Sequence, residues 1–192
     1  MKLAVVSAGL SQPSSTRLLA DRLAAATVRA EEMDVETIDL RGHAHHLVDA
    51  MLSGFASQDL KPVLDSVAEA DGLIAVTPTY ASSYSGLFKS FVDVLDEEAV
   101  AGKPVLIGAT GGTARHSLVL DYALRPLFTY LKAIVVPTGV YVASEDWAGT
   151  TLAARIDRAG AELAREMAGR EKTVAADPFT DPVSFEDLLG GR

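Results

Sequence analysis

The sequence predicts one α/β domain in which a doubly wound five-stranded parallel sheet carries helices on both faces, a three-layer α/β/α arrangement. Five short apolar segments alternate with segments of helical periodicity, which is the order that a parallel sheet with crossover helices requires. The chain has 192 residues, 48% of them hydrophobic, which is enough for a sizeable core in a single domain. We therefore expect ligands to bind at the carboxyl ends of the strands, near the switch in strand order.

The five predicted strands differ in how they expose their side chains. The third run is continuously apolar, as in a strand buried on both faces, whereas the second alternates apolar and polar residues as a half-buried strand does. Pro137 interrupts the fifth run, which predicts an edge strand or a bulged one. The strands are predicted over residues 3–8, 34–40, 71–78, 103–110 and 134–144.

Helical spacing of apolar residues predicts five longer helices, and a short helix is expected near 45–52. The longer helices are predicted over residues 15–30, 60–70, 85–99, 113–133 and 151–170. Pro126 predicts a kink or break in the fourth of them, because proline removes one helical hydrogen bond. We expect residues 1–172 to form this single domain and residues 173–192 to be an acidic C-terminal tail that largely lacks regular structure.

Composition excludes several classes of function. A net charge of −9 and a pI near 4.8 argue against a broad nucleic-acid surface. The chain has no Cys, which removes disulfides, thiolate metal sites and thiol nucleophiles. No apolar run reaches the roughly 18 residues that span a bilayer, and the first residues do not have the pattern of a signal peptide. We therefore expect a cytoplasmic protein without membrane or nucleic-acid partners.

The exit of the first strand, "SAGLSQPSST" at residues 7–16, is rich in hydroxyl groups and leads into a helix. A helix N-terminus favours an anion, because its first N–H groups are unpaired and its dipole is positive there. Hydroxyl donors at this exit, on Ser11, Ser14, Ser15 and Thr16, indicate a phosphate site. The alternative is ordinary helix capping by Ser14 or Ser15. Walker and dinucleotide glycine patterns are absent from this loop, which leaves a monophosphate held by neutral donors.

Two further strand exits have the composition of ligand-binding loops. "TPTYASSYSG" at residues 77–86 contains Pro, Tyr and Ser before a helix, which suits the edge of a flat ligand; a turn with helix capping at Ser85 is the alternative. "GATGGTARHS" at residues 108–117 contains a Gly pair, which allows backbone N–H groups to approach a ligand closely. The doubly wound topology brings all three exits to one edge of the sheet.

These three segments together resemble the NADPH-dependent FMN reductase family, and similarity is closest to flavin reductases that supply reduced FMN to monooxygenases. The resemblance covers residues 1–145 and implies a flavodoxin-like fold with FMN across the three loops. It implies a phosphate site at Ser11, Ser14, Ser15 and Thr16, an isoalloxazine border at Pro78, Thr79, Tyr80, Ser83 and Gly86, and a pyrimidine-edge contact at Thr110, Gly111 and Gly112. Many relatives have an early Arg in the phosphate loop, whereas this chain has Gln12 there.

The activity that the resemblance implies is reduction of FMN by NADPH or NADH, with hydride transfer from the nicotinamide to flavin N5. We name no catalytic side chain, because the cofactor supplies the chemistry and backbone amides at Gly111 and Gly112 can stabilise the charge on the ring. The alternatives are an FMN-containing quinone or azo reductase with tightly bound flavin, and a non-enzymatic electron carrier of the flavodoxin type. We expect a homodimer or homotetramer, with a flavin-dependent monooxygenase as partner.

Three further features have a plainer interpretation beside the functional one. Tyr122 falls where similar reductases have a helix irregularity at a subunit contact, although a core or interface aromatic is the simpler role. Arg115 follows the Gly pair and could meet a nucleotide phosphate, or simply face solvent. "HAHH" at residues 43–46 invites a metal interpretation, but with no Cys and no matching carboxylate motif we expect no metal site.

Overall fold

The computed structural model describes residues 1–170, so the predicted tail over 173–192 lies outside the described residues. Five parallel strand positions form the sheet in the order β2-β1-β3-β5-β6, and β7 continues the last position by pairing with β5. This is the doubly wound order in which the chain reverses direction beside β1. The strands are β1 (Lys2–Ser7), β2 (Asp34–Asp39), β3 (Gly72–Tyr80), β4 (Ser83–Tyr84), β5 (Pro104–Gly111), β6 (Ile134–Val135) and β7 (Val140–Ala143).

Six α-helices among the described residues cover the two faces of the sheet. Side chains of β1 show the division, because Leu3 and Val5 pack in the cluster with α1 and α6. Ala4 and Val6 point the other way, into the cluster with the remaining helices. The helices are α1 (Ser15–Ala30), α2 (Ala44–Ser53), α3 (Lys61–Glu69), α4 (Gly86–Val94), α5 (Arg125–Tyr130) and α6 (Thr151–Ala168).

The long helix predicted over 113–133 is broken into pieces. A 3₁₀ turn at Ala114–His116 and a π-helical turn at Leu120–Leu124 precede α5. Pro126 stands in the first turn of α5, where its missing N–H costs no intrahelical hydrogen bond. The predicted break is therefore confirmed, and it falls before the proline rather than at it. Tyr122 lies in the π-helical turn and is 79% exposed, so it is not a core residue.

The fifth strand is interrupted as Pro137 predicts. β6 and β7 both pair with β5 but are separated by the proline and the residues after it. Arg125 stabilises this interruption by donating to the carbonyl oxygens of Val136 (3.1 Å) and Pro137 (3.0 Å). Glu162 accepts from the N–H and the hydroxyl of Thr138, both at 2.8 Å. The backbone groups that the break exposes thus find side-chain partners.

The hairpin formed by β3 and β4 was not predicted. Ala81 (φ 47°) and Ser82 (φ 64°) form its two-residue turn, and Tyr80 pairs with Ser83. Positive φ at both central residues defines the turn that matches the twist of a hairpin, and it normally takes Asn or Gly. No sequence signal predicted this turn, because neither Ala81 nor Ser82 is of that type.

No helix within residues 1–170 is both long enough and apolar enough to cross a membrane.

Candidate functional site

The carboxyl ends of β1, β3 and β5 meet at one edge of the sheet and border a cavity of about 220 Å³. Most of the predicted site residues line it. Ser14, Ser83 and Gly86 are near it in the chain but are not part of the lining. The lining consists of Leu10, Ser11, Ser15, Thr16, Pro78, Thr79, Tyr80, Thr110, Gly111, Gly112 and Ser144.

Ser14 ends the first loop as the N-cap of α1. Its Oγ accepts a hydrogen bond from the N–H of Arg17 at 3.2 Å, so the capping interpretation holds for this residue. Its hydroxyl also folds over Gly9, where an added Cβ would overlap it. The N–H groups of Ser15 and Thr16 make no hydrogen bond to another described residue. The start of α1 therefore presents free backbone donors at the cavity wall.

Thr16 joins the first loop to β5. Its hydroxyl lies 2.8 Å from the hydroxyl of Thr110, and both side chains are buried. The two hydroxyls satisfy each other, which a buried polar pair requires. This contact fixes the start of α1 against the end of β5, so that the cavity wall is built from both.

The β3–β4 hairpin is held at its base by Thr77 and Ser85, both buried. The Thr77 hydroxyl accepts from the N–H of Ser85 at 3.0 Å and donates to the carbonyl of Pro78 at 2.9 Å. Ser85 in turn caps α4 by accepting from the N–H of Phe88. The alternative of helix capping at Ser85 is thus confirmed, while Pro78 and Tyr80 still line the cavity.

The loop after β5 owes its shape to Tyr141 of β7. The Tyr141 hydroxyl donates to the carbonyl of Thr113 at 2.7 Å, and it fills the space that a side chain at Gly111 would need. Gly112 has open space on its Cβ side, and its N–H makes no hydrogen bond to another described residue. Thr79 Oγ1 is buried beside this loop without a hydrogen bond of normal geometry.

Leu10 and Ser144 line the cavity but were not among the predicted residues. Ser144 begins a 3₁₀ turn, Ser144–Ala148, directly after β7. Asp146 holds this turn by accepting from the N–H of Ala143 at 2.8 Å. Applying the rule of carboxyl strand ends to the fifth strand as well as to the first, third and fourth would have found Ser144.

The cavity wall contains no charged side chain. Arg17, the first cation after the loop, pairs with Asp21 of the same helix at 2.8 Å. Arg115 is exposed, and its side chain makes no ion pair or hydrogen bond with any residue in the described part of the chain. A phosphate in this cavity would be held by neutral N–H and O–H donors.

A larger cavity of about 700 Å³ lies at the opposite, amino edge of the sheet. Lys2, Asp34, Glu36 and Glu69 contribute to its wall, which is predominantly acidic among its charged groups. Ligands of doubly wound sheets bind at the carboxyl ends of the strands, and an acidic wall repels phosphates. The smaller cavity is therefore the candidate site.

Comparison with known proteins identifies the chain. The NADPH-dependent FMN reductase family matches residues 1–148. The chain belongs to this family. The flavin reductase is 38% identical to FMN reductase (NADPH) from Pseudomonas aeruginosa over 167 residues, which cover 87% of this chain and 90% of the relative. It is 35% identical to the NADH-dependent FMN reductase SfnF from Pseudomonas fluorescens over 168 residues, which cover 88% and 90%.

Solved structures agree with this assignment. An oxidoreductase from Corynebacterium diphtheriae superposes on the flavin reductase with a TM-score of 0.86 at 46% identity, covering 88% of this chain and 98% of the other. An archaeal flavodoxin superposes with a TM-score of 0.63 at 16% identity, covering 88% and 99%, and shows the fold alone. The flavodoxin-like prediction is confirmed. The flavin reductase is an oxidoreductase that reduces FMN with NADPH or NADH.

Proposed function

We propose that FMN binds in the cavity at the carboxyl edge as an exchangeable substrate, and that the reduced flavin passes to a flavin-dependent monooxygenase. In this proposal the phosphate is bound at Ser11, Ser14, Ser15 and Thr16. The isoalloxazine lies along Pro78, Thr79, Tyr80, Ser83 and Gly86, and its pyrimidine edge faces Thr110, Gly111 and Gly112. The cavity lining, which contains most of these residues, carries the proposal.

Three features of the cavity fit a flavin monophosphate. Free N–H groups at Ser15 and Thr16 suit a phosphate at a helix N-terminus. Gly112 offers a free N–H and no side chain, which suits the edge of a ring with carbonyl acceptors. Thr79 Oγ1 is buried beside the Tyr141 hydroxyl without a hydrogen bond of normal geometry, and a ligand carbonyl or ring nitrogen would give it a well-aligned acceptor.

The uncharged wall favours exchange of FMN over permanent retention. Gln12 stands where many relatives have Arg, and Arg17 is engaged by Asp21 at 2.8 Å. Hydrogen bonds from neutral donors to the charged phosphate lack the additional ion-pair attraction that an arginine would contribute. Phosphate affinity is therefore modest, as suits a flavin that enters oxidised and leaves reduced.

The protein's part in the reaction is binding and orientation. Bound FMN supplies the hydride acceptor, its N5 atom, and the nicotinamide supplies the hydride. The free N–H of Gly112 lies in the loop proposed for the pyrimidine edge, where it would stabilise negative charge without exchanging a proton. The exposed ring of Tyr80 borders the open side of the cavity, from which the nicotinamide can approach.

Retention of FMN on a desalting column, combined with steady-state kinetics, tests this proposal. We expect added FMN to separate from the protein and NADPH oxidation to rise with free FMN until it saturates. FMN that stays bound, with ping-pong kinetics toward a quinone or azo dye, would instead indicate a reductase with a resident flavin. Slow NADPH oxidation despite excess FMN would indicate an electron carrier.

We also propose that the flavin reductase is a homodimer or homotetramer. Val48, Met51, Leu52 and Phe55 recur at helical spacing on α2 and just beyond it, and all four are exposed. Leu52 is 83% and Phe55 81% exposed, and contiguous exposed apolar groups of this kind mark interaction surfaces. Light scattering should give a multiple of the chain mass, and Leu52→Asp with Phe55→Asp should lower it. A monomeric wild type would contradict this.

We propose a cytoplasmic location, because NADPH and NADH are available in the cytoplasm. The partner is a monooxygenase because free reduced flavin is otherwise consumed by oxygen. Product formation by a flavin-dependent monooxygenase, supplied with NADPH, FMN and this reductase, tests the partnership. No product above the level seen without the reductase would contradict it.

A further inference from the structure

Tyr141 shapes the loop after β5 from a position outside the cavity. It is 4% exposed on β7 and does not line the cavity. Its hydroxyl donates to the carbonyl of Thr113 at 2.7 Å and occupies the space beside Gly111 in which a Cβ would stand. One phenol therefore touches both ends of the three-residue segment Gly111–Thr113.

The segment that Tyr141 holds carries the free donor of this part of the cavity. Gly112, between the two contacted residues, lines the cavity and has an N–H without a partner among the described residues. The direction of a free N–H in a loop depends on the backbone around it. Glycines at two successive positions make that backbone conformationally permissive. An external contact is thus needed to fix the direction.

We propose that Tyr141 is a positioning residue for flavin binding, which orients the Gly112 N–H toward the ring by fixing the Gly111–Thr113 segment. This inference rests on the proposed function, because it takes the ring to lie at this loop. Burial raises the pKa of the Tyr141 phenol, and the Thr79 hydroxyl beside it opposes that rise. The phenol therefore stays protonated at neutral pH and remains a donor to Thr113.

Tyr141→Phe tests the inference, because it removes the hydroxyl and keeps the ring in the core. We expect the affinities for FMN and for riboflavin to fall together, each by about tenfold, as for loss of one hydrogen bond that orders a site. In the ligand-free protein we expect faster hydrogen exchange at Gly112 and Thr113. Tyr130→Phe, on an exposed tyrosine outside the cavity lining, is the matched control and should change neither measurement.

Several outcomes would overturn the inference while leaving the proposed function intact. Unchanged riboflavin affinity and unchanged hydrogen exchange in Tyr141→Phe would do so, as would a loss of affinity confined to FMN.

If Tyr141→Phe fails to fold, Gly111→Ala replaces it, because the added methyl group displaces the Tyr141 hydroxyl and keeps the tyrosine. Gly111→Ala should then weaken both flavins; equal binding by wild type and Gly111→Ala would overturn the inference. A wild type that binds neither flavin would contradict the proposed function itself.

Discussion

The hydroxyls of Thr16 and Thr110 lie 2.8 Å apart, although 94 residues separate them in the chain. Thr16 opens the helix at the proposed phosphate site, and Thr110 ends the strand that leads to the proposed ring site. Their contact therefore couples the two halves of the cavity. Both groups are buried, so neither hydroxyl can turn to water if the other is removed.

Thr16→Val and Thr110→Val should each lower the free energy of unfolding by about 1–3 kcal/mol, because each leaves a buried hydroxyl unpaired. The double variant should lose less than the sum of the two, since it removes both partners of the pair. Urea unfolding of wild type, the two single variants and the double variant measures the coupling energy between the two hydroxyls. Additive losses would show that the hydroxyls do not depend on each other.

Ser15→Ala should weaken FMN binding by about 1.5–3 kcal/mol and leave riboflavin binding unchanged, because a hydrogen bond to a charged phosphate has that value. Fluorescence quenching measures both affinities. Ser117→Ala, at an exposed serine outside the cavity lining, is the control. Equal weakening of both flavins by Ser15→Ala would remove this loop from the phosphate site. Ser15 is preferable to Ser14 here, because Ser14 also caps α1.

Ala81→Gly should raise the free energy of unfolding by about 1 kcal/mol. Ala81 has φ 47°, and the left-handed conformation destabilises a residue with a side chain by about 1–2 kcal/mol. Glycine removes this strain, but its greater conformational entropy in the unfolded chain cancels part of the gain. Ala148→Gly, at an exposed alanine that is not among the positive-φ residues, should be destabilising. Thermal unfolding of both variants compares them, and a less stable Ala81→Gly would contradict the strain at the hairpin.

Lys103 should make stability depend on pH in the alkaline range. Its side chain is buried and donates to the carbonyl oxygens of Val67 and Ala68. Burial lowers the pKa of Lys103 to about 8, and the charge of Arg170 acts in the same direction while Asp71 opposes it. Between that value and the ordinary 10.5, the unfolded chain binds the proton that the folded chain has released. Stability from this group therefore rises with pH across that window.

We expect the free energy of unfolding of wild type minus that of Lys103→Met to rise by about 1–3 kcal/mol from pH 8 to pH 10. Below pH 8 the difference should be flat, because the lysine is charged in both states. Lys61→Met removes an exposed lysine paired with Asp65 and is the control for the general effect of replacing a lysine by methionine. A flat difference for Lys103→Met would show that its pKa is not lowered.

The sequence was sufficient to predict the sheet and the location of the cavity, because both follow from hydrophobic periodicity and from the rule of carboxyl strand ends. It was insufficient for contacts that depend on side chains distant in the chain. The Thr16–Thr110 pair and the Tyr141–Thr113 bond join residues whose spacing has no period. The turn at Ala81 and Ser82 could not be predicted from the sequence, because tertiary contacts at Thr77 and Ser85 impose a positive-φ conformation that these two residues do not favour.

The absence of charged side chains from the lining of the proposed FMN cavity determines how FMN binding should respond to ionic strength. The chain has a net charge of −9 and FMN is an anion, so the two repel each other over a screening length of about 8 Å at physiological salt. No cation among the residues that line the cavity offsets that repulsion locally. Added salt should therefore tighten FMN binding, the reverse of the effect expected where an arginine binds the phosphate.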